Sequence, residues 1–256
     1  MKHDERDIDD RTDELRDLAV SNPDIWAEFH QRFELGWIFH ENALEGIVVT
    51  HAEMTSALEG RPIALDTYPA IRNFRLAMDL VRKRASEGAV ISQEFMEELH
   101  GILGSHDPKY QVARLRKDFP LHRTYFHDIA QPHDIVSRLQ DLVEWAQAED
   151  PDDDDAIAFA ARFHHDFMQI FPYAENSGKV GRLLLNFILI RHGYLPVVIH
   201  GSDRQRYYDT LRQPRKHMQQ FIEQSMTEVL EGGRVYIEKI LDDRARKEKA
   251  RLALVS

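Results

Sequence analysis

The sequence predicts an all-α domain with a small β-hairpin flap, and three observations support this prediction. Apolar residues recur at helical spacing through most of the 256 residues. The run LLLNFILI at 183–190 is apolar on every side, which is typical of a helix at the buried centre of a domain. Extended segments are expected only near 108–130 and in LPVVIH at 195–200, so any sheet is confined to a hairpin.

Two amphipathic helices are predicted from the spacing of their apolar residues. The segment IRNFRLAMDLV places four apolar residues on one helical face: Ile71, Phe74, Met78 and Val81. The segment IVSRLQDLVEWA has the same pattern, with Ile135, Leu139, Leu142 and Ala146. Both faces are expected to pack into the core.

Helix ends are predicted from capping residues. Ser92 precedes QEFMEELHGIL and is expected to be its N-cap. Asp155 ends the acidic run EDPDDDD, otherwise a solvated loop, and is expected to cap the helix AIAFAARFHHDFMQIF. Gly193, with Pro196 just beyond it, is the expected C-terminal stop of the apolar helix.

The chain is expected to form one main domain with charged ends. Residues 1–21 are predicted to be an acidic N-terminal arm, 22–235 the domain, and 236–256 a charged C-terminal helix. The outermost stretches, 1–20 and 244–256, are expected to fray. No internal repeat or low-complexity linker is present.

Composition excludes several classes of function. The net charge of −11 and the pI of about 5.7 argue against a general nucleic-acid binder. The absence of cysteine excludes thiolate catalysis and zinc–thiolate sites. The N-terminus lacks the apolar region of a signal peptide, and the longest apolar run is too short to span a bilayer. We expect a cytoplasmic protein with no nucleic-acid or membrane partner.

The stretch QIFPYAENSGKVGRLLLNFILIRHGY at 169–194 predicts an anion site. Asn176, Ser177 and Gly178 lead into an apolar helix, whose first backbone N–H groups are unpaired and suit a phosphate. Lys179 and Arg182 are three residues apart, so both cations lie over the loop. The alternative is an ordinary glycine-containing helix start whose cations are solvated.

A Walker A loop does not explain this stretch. That loop needs glycine where Tyr173 stands and serine or threonine where Val180 stands. It also follows a strand, whereas the pattern before this loop is that of an amphipathic helix.

The residues at 171–182, FPYAENSGKVGR, are similar to the signature H-P-F-x-[D/E]-G-N-G-R-x-x-R of the Fic (Fido) family. The flanking segments HHDFMQI and GRLLLNFILIRHGYLPVVI resemble the family on both sides. DRQRYYDTL resembles the segment in which the family places two tyrosines near the nucleotide base, here Tyr207 and Tyr208. The resemblance covers about residues 22–230 and implies a Fic-like helical domain.

An upstream segment, ENALEGIVVTHAEM, resembles the inhibitory helix of the family, [S/T]-x-x-x-E-[G/N], here near 37–46. Glu45 and Gly46 match that pattern, whereas Glu41 stands where serine or threonine is expected. The resemblance implies that Glu45 pairs with Arg182 and obstructs placement of a γ-phosphate. The alternative is a salt bridge that only holds the N-terminal helix in place.

The departures from the signature concern proton transfer most. Phe171 stands where the family has the histidine that accepts the proton of the target hydroxyl, and phenylalanine cannot titrate. Glu175 matches the carboxylate that the family uses for Mg²⁺. Lys179 keeps a charge but loses the guanidinium fork, while Arg182 is retained. Their positions in the signature make both cations candidate catalytic residues, and His164 or His165, above all His165, is the candidate replacement base.

Three functions remain open at this stage. The first is a divergent Fic-like transferase that uses ATP, another nucleotide or a diphosphate-linked donor without conventional His-dependent AMPylation. The second is an inactive Fic protein that regulates by binding a nucleotide or a protein. The third is a weak AMPylator with substrate-assisted or water-mediated proton transfer. A target protein is expected at the flap, and a homodimer is among the oligomeric states left open.

Overall fold

A computed structural model describes residues 7–61, 67–107, 113–120, 127–151 and 155–253, and these residues are mainly helical, as predicted. The helices in chain order are α1 Ile8–Ser21, α2 Pro23–Leu44, α3 His51–Leu58, α4 Tyr68–Ser86, α5 Gln93–Leu103, α6 Ile135–Ala148, α7 Ala156–Ile170, α8 Ser177–Arg191, α9 Arg204–Thr210 and α10 Arg215–Ala253. Two short 3₁₀ helices, Pro132–Asp134 and Gly201–Asp203, precede α6 and α9.

Helix α8 lies at the centre of the core, as its apolar sequence predicted. It packs against α7, α4 and α5, and its residues from Ser177 to Leu189 are buried. The predicted apolar faces of α4 and α6 are confirmed, since all eight of their residues named above are buried. The start of α8, where the anion site was predicted, is therefore enclosed by packed helices.

Two of the three predicted caps are confirmed. The Ser92 hydroxyl accepts from the Phe95 N–H at 3.2 Å. Gly193 adopts a φ of +83° just after α8, and its N–H donates to the Ile190 carbonyl at 3.0 Å. The prediction for Asp155 is wrong: it directly precedes α7, but its side chain caps no N–H of that helix.

The β-hairpin flap is not seen in the described residues. Within the described part of 108–130, the only β-pairing is an isolated antiparallel bridge between Leu115 and Tyr173. The rest of that prediction falls on 108–112 and 121–126, outside the described residues. The segment at 195–200 forms no strand, because the Asn186 amide takes both backbone groups of Val197, at 2.7 and 3.0 Å.

The N-terminal segment is a packed helix rather than a frayed end. The Asp7 carboxylate caps α1 by accepting from the Asp10 N–H at 2.8 Å. Leu15 is 2% exposed and contacts the α10 surface at Gly233. The expectation of fraying is therefore wrong for α1, and α10 continues through residue 236 without a break.

Among the described helices, none has a stretch long and apolar enough to cross a bilayer.

Helix α7 approaches α8 so closely that residue 181 has room only for glycine. A Cβ at Gly181 would lie 2.9 Å from Cδ1 of Phe167, whereas a Cβ at Gly36 of α2 would meet nothing within 4 Å. We expect Gly181→Ala to lower the free energy of unfolding by about 1–3 kcal/mol through overpacking. The matched change Gly36→Ala should raise it by about 0.5–1 kcal/mol through helix propensity. Urea unfolding of both variants tests this, and an equal effect at the two positions would contradict the close packing.

Candidate functional site

The end of α2 presents a carboxylate at a fixed position. Gly46, with a φ of +79°, ends the helix directly after Glu45. The Gly46 N–H donates to the Ala43 carbonyl at 3.0 Å and the Ile47 N–H to the Asn42 carbonyl at 2.9 Å. These two bonds form a Schellman motif, which needs a residue that tolerates positive φ. Of the segment near 37–46, residues 37–44 are thus the last part of a 22-residue helix, and Glu45 is its C-cap.

Arg182 of α8 is held by two carboxylates from α2. Its Nε donates to Oε1 of Glu41 at 2.7 Å, and its Nη2 donates to the same oxygen. Nη2 also donates to Oε1 of Glu45 at 2.5 Å. The side chains of Arg182 and Glu41 are each 3% exposed, and that of Glu45 is 22% exposed. The sequence analysis noted Glu41 only as a departure from the inhibitory pattern and did not predict its ion pair with Arg182. The signal that could have indicated it was its i, i+4 spacing from Glu45, which places both carboxylates on one helical face.

The carboxylate of Glu45 lies over the first turn of α8. A Cβ built on Gly178 would be only 2.7 Å from Oε1 of Glu45 and 2.9 Å from Nη1 of Arg182. A helix N-terminus favours a negative group at this place. The place where a phosphate was predicted is therefore occupied by a carboxylate of the same chain.

Burial affects the pKa values of three charged groups in this cluster, those of Glu41, Lys179 and Arg182. Burial raises the pKa of Glu41, and the nearby Arg182 only partly opposes that shift. Burial alone would lower the pKa of Arg182, but Glu41 and Glu45 raise it well above its ordinary value. Burial lowers the pKa of Lys179, whose Nζ donates to Oδ1 of Asn42 at 3.3 Å. Both predicted cations thus lie under α2 rather than in solvent.

Hydrogen bonds between Ser177 and Tyr173 hold the loop before α8. The Ser177 hydroxyl accepts from the Tyr173 N–H at 2.7 Å and donates to the Tyr173 carbonyl at 2.8 Å. Because this hydroxyl is already used within the loop, Ser177 is left with its backbone N–H for the predicted contact with a phosphate. Asn176 adopts a φ of +60°, a left-handed conformation that asparagine tolerates better than most residues.

Phe171 occupies a strained backbone position in the interior. Its φ is +48°, and its side chain is 1% exposed, with the ring of His127 at 6.4 Å in an edge-to-face arrangement. A left-handed conformation is a genuine outlier for a bulky residue, and histidine or asparagine adopts it more often. The side chain at the family's base position is thus apolar, buried and held in a conformation that suits other residues better.

Arg116 holds the end of α7 and was not identified from the sequence. Its Nε donates to the Phe171 carbonyl at 2.7 Å, and its Nη2 donates to the carbonyls of Ile170, at 3.2 Å, and Ala130. A buried guanidinium thus satisfies carbonyls that a helix C-terminus leaves unpaired. Nothing in the local sequence distinguishes Arg116 from other arginines, since the carbonyls that it binds at the end of α7 lie 54 and 55 positions along the chain.

The two adjacent histidines of α7, His164 and His165, have different hydrogen-bond partners. Nδ1 of His164 lies 3.0 Å from the Gly181 carbonyl, and its Nε2 lies 2.9 Å from the Tyr207 hydroxyl. Since a carbonyl only accepts, Nδ1 donates and Nε2 accepts from the tyrosine. Burial lowers the pKa of His164 to about 3. Nε2 of His165 donates to the Gln213 carbonyl at 3.0 Å, and this side chain lines a separate cavity of about 1080 Å³ with Asp166.

The remaining predicted site residues differ in their exposure. Tyr207 and Tyr208 are 0% and 1% exposed, so a nucleotide base could stack on them only after neighbouring side chains move. Glu175 is exposed. Among the described residues, no group of three or more His, Asp or Glu side chains could hold a metal ion. Mg²⁺ is commonly held by one or two carboxylates together with substrate phosphates, so Glu175 as its ligand stays a prediction.

Comparison with known proteins gives consistent matches to one family. The sequence profile of the Fic/DOC family matches residues 90–189. The protein adenylyltransferase Fic of Nematostella vectensis is 27% identical over 222 residues, which cover 83% of this chain and 51% of that protein. The protein of the same name from Drosophila melanogaster is 27% identical over 212 residues, which cover 80% and 42%. The chain thus spans about half or less of the length of these relatives.

Solved structures show the same fold. A Fic domain-containing signaling protein from Bacteroides thetaiotaomicron superimposes with a TM-score of 0.75 at 18% identity, covering 90% of this chain and 97% of that chain. Fic-1 of C. elegans superimposes with a TM-score of 0.65 at 20% identity, covering 89% and 71%.

The buried His164 predicts a pH dependence of stability. Its folded-state pKa of about 3 lies below the ordinary 6.5, so between these values the unfolded chain binds more protons. The free energy of unfolding should therefore fall as the pH falls from 6.5. His164→Gln should flatten this slope by up to about 1.4 kcal/mol per pH unit. Urea unfolding between pH 5 and 8 measures it, with His133→Gln as control because that side chain is 79% exposed. Parallel curves for all three proteins would contradict the assignment.

Proposed function

Because residues 90–189 match the sequence profile of the Fic/DOC family, we propose that this protein binds a nucleotide or diphosphate-linked donor at the start of α8 and transfers a group from it. The route is not conventional His-dependent AMPylation. The similarity to proteins named protein adenylyltransferase supports nucleotide-group transfer in general. ATP is accordingly a proposed cosubstrate, and a protein bound near the flap is the proposed acceptor.

One observation supports a phosphate site at the start of α8: the Glu45 carboxylate lies against Gly178 and Arg182. Oε1 of Glu45 is 2.5 Å from Nη2 of Arg182 and would be 2.7 Å from a Cβ on Gly178. A backbone and guanidinium arrangement that binds a carboxylate oxygen also suits a phosphate oxygen. Glu45 therefore occupies the phosphate position in the structure, and a bound donor must displace it. This supports an inhibitory role for Glu45.

The residue at 171 limits the chemistry. In adenylyl transfer an acceptor hydroxyl attacks the α-phosphate, diphosphate leaves, and the hydroxyl proton must go to a base. Phe171 is apolar and cannot accept that proton. The loss of a general base costs a factor of about 10² to 10⁴ in rate. Transfer by this chain therefore depends on a base from the acceptor, the donor or another residue.

A binding-only regulator is the second candidate function. The burial of Phe171 and Tyr173, each 1% exposed, favours it, because these rings occupy the place where an acceptor hydroxyl would meet a base. Such a protein would bind the same donors through the start of α8 without transferring a group.

Removal of the Glu45 charge should increase affinity for phosphates. We expect Glu45→Gln to bind ADP about ten- to a hundredfold more tightly than wild type, the effect of one charged hydrogen bond. Isothermal calorimetry measures the dissociation constants. Glu28→Gln, on an exposed face of the same helix and paired with Arg32, is the control for net charge. Equal dissociation constants in all three proteins would place phosphate binding elsewhere, while a lowered melting temperature without tighter binding would make Glu45 structural.

Restoration of a base should separate the two candidate functions. Phe171→His in the Glu45→Gln background should gain self-modification with labelled ATP, because histidine tolerates the left-handed backbone at 171 and can accept a proton. Phe171→Asn is the matched control, since asparagine also tolerates that backbone but does not titrate. Label incorporation at least tenfold above the control supports a transferase geometry. Bound nucleotide with no incorporation in either variant supports the regulator.

A further inference from the structure

Glu41 and Glu45 bind the same guanidinium from successive turns of α2, yet they are held differently. Glu41 lies inside the helix and its side chain is 3% exposed, whereas Glu45 ends the helix and is 22% exposed. Glu45 is followed by Gly46, which is exposed at the start of a loop. Unwinding of the last turn alone would withdraw Glu45 from the site.

Glu41 cannot withdraw in that way. Its neighbours on α2 include Trp37, Ile38 and Leu44, which are 2%, 0% and 0% exposed and belong to the main core. Asn42, the next residue, is also buried and donates to the Ile38 carbonyl at 2.8 Å. Displacement of Glu41 would therefore require separation of α2 from the core. Glu41 stays on Arg182 when Glu45 leaves.

This arrangement changes the charge that the site can accept. Lys179 and Arg182 are the two cations at the start of α8, and both are at least nine-tenths buried. With Glu41 fixed, one of their two positive charges is neutralised permanently. A buried surplus of negative charge is costly when no partner compensates it. A ligand with little phosphate charge is then accommodated better than one with a full terminal phosphate.

Arg182 nevertheless keeps a donor for one phosphate group. Its Nη1 is buried without a hydrogen-bond partner in the described structure, and it lies 2.9 Å from where a Cβ on Gly178 would be. This N–H group therefore points to the space at the first turn of α8. The site can bind a phosphate oxygen there while Glu41 holds the other edge of the guanidinium.

We propose that Glu41 weakens the binding of nucleoside triphosphates, ATP included, relative to diphosphate-linked donors, whose two phosphates are both esterified and carry less charge. The proposal rests on the proposed function of the α8 N-terminus as the donor site. Glu41 acts on the ligand through Arg182, so it is a specificity-determining residue rather than a catalytic one.

A comparison of the affinities of two adenine nucleotides tests this role of Glu41. ADP-ribose is the probe for a diphosphate diester and ATP the probe for a triphosphate, both measured by calorimetry without added metal. In Glu45→Gln, ADP-ribose should bind more tightly than ATP. In Glu41→Gln with Glu45→Gln, ATP should gain about tenfold or more relative to ADP-ribose, because the neutral amide no longer opposes the terminal phosphate.

Two results would contradict the role of Glu41 without contradicting the donor site. The first is that Glu45→Gln binds ATP more tightly than ADP-ribose. The second is that the ratio of the two dissociation constants is the same in the double variant as in Glu45→Gln, while the two proteins have similar melting curves. The first result is read from Glu45→Gln alone and so does not depend on the folding of the Glu41 variant. If neither nucleotide binds any variant, the proposed donor site itself is wrong. Glu28→Gln again controls for the change in net charge.

Discussion

The contact between the end of α2 and the start of α8 determines the state of the candidate site. Arg182 is buried in the middle of the fold, and such a charge is tolerated only with a partner nearby. Glu41 and Glu45 supply that partner from two successive helical turns. The same contact places a carboxylate over the N-terminus of α8, so fold stability and ligand access depend on one set of hydrogen bonds.

The residues at 171–182 agree with the Fic signature that they resemble at some positions and depart from it at others. Gly178 and Arg182 match it, and Lys179 keeps only the charge, at the start of a buried helix. The proton-transfer half is replaced by Phe171, an apolar residue in a left-handed conformation held by Arg116. Since phenylalanine cannot titrate, the part of the signature that serves proton transfer is missing from this chain.

The histidines illustrate how burial decides the role of a side chain. His164 and His165 are adjacent in α7, yet one binds Gly181 and Tyr207 while the other binds Gln213 and faces a different cavity. Their polarity is used to satisfy buried backbone and hydroxyl groups, which cost free energy when unpaired.

The sequence by itself determined the helical class, the central position of α8 and the caps at Ser92 and Gly193, because these follow from local periodicity and backbone propensity. It also predicted an anion site at the start of α8, since a glycine-containing helix start with two cations is a local pattern. Only the tertiary structure decided that Glu41 shares Arg182 with Glu45, a contact between residues 141 positions apart. Such pairings depend on which helices pack together and on how deeply a charge is buried, and neither is encoded in the spacing of nearby residues.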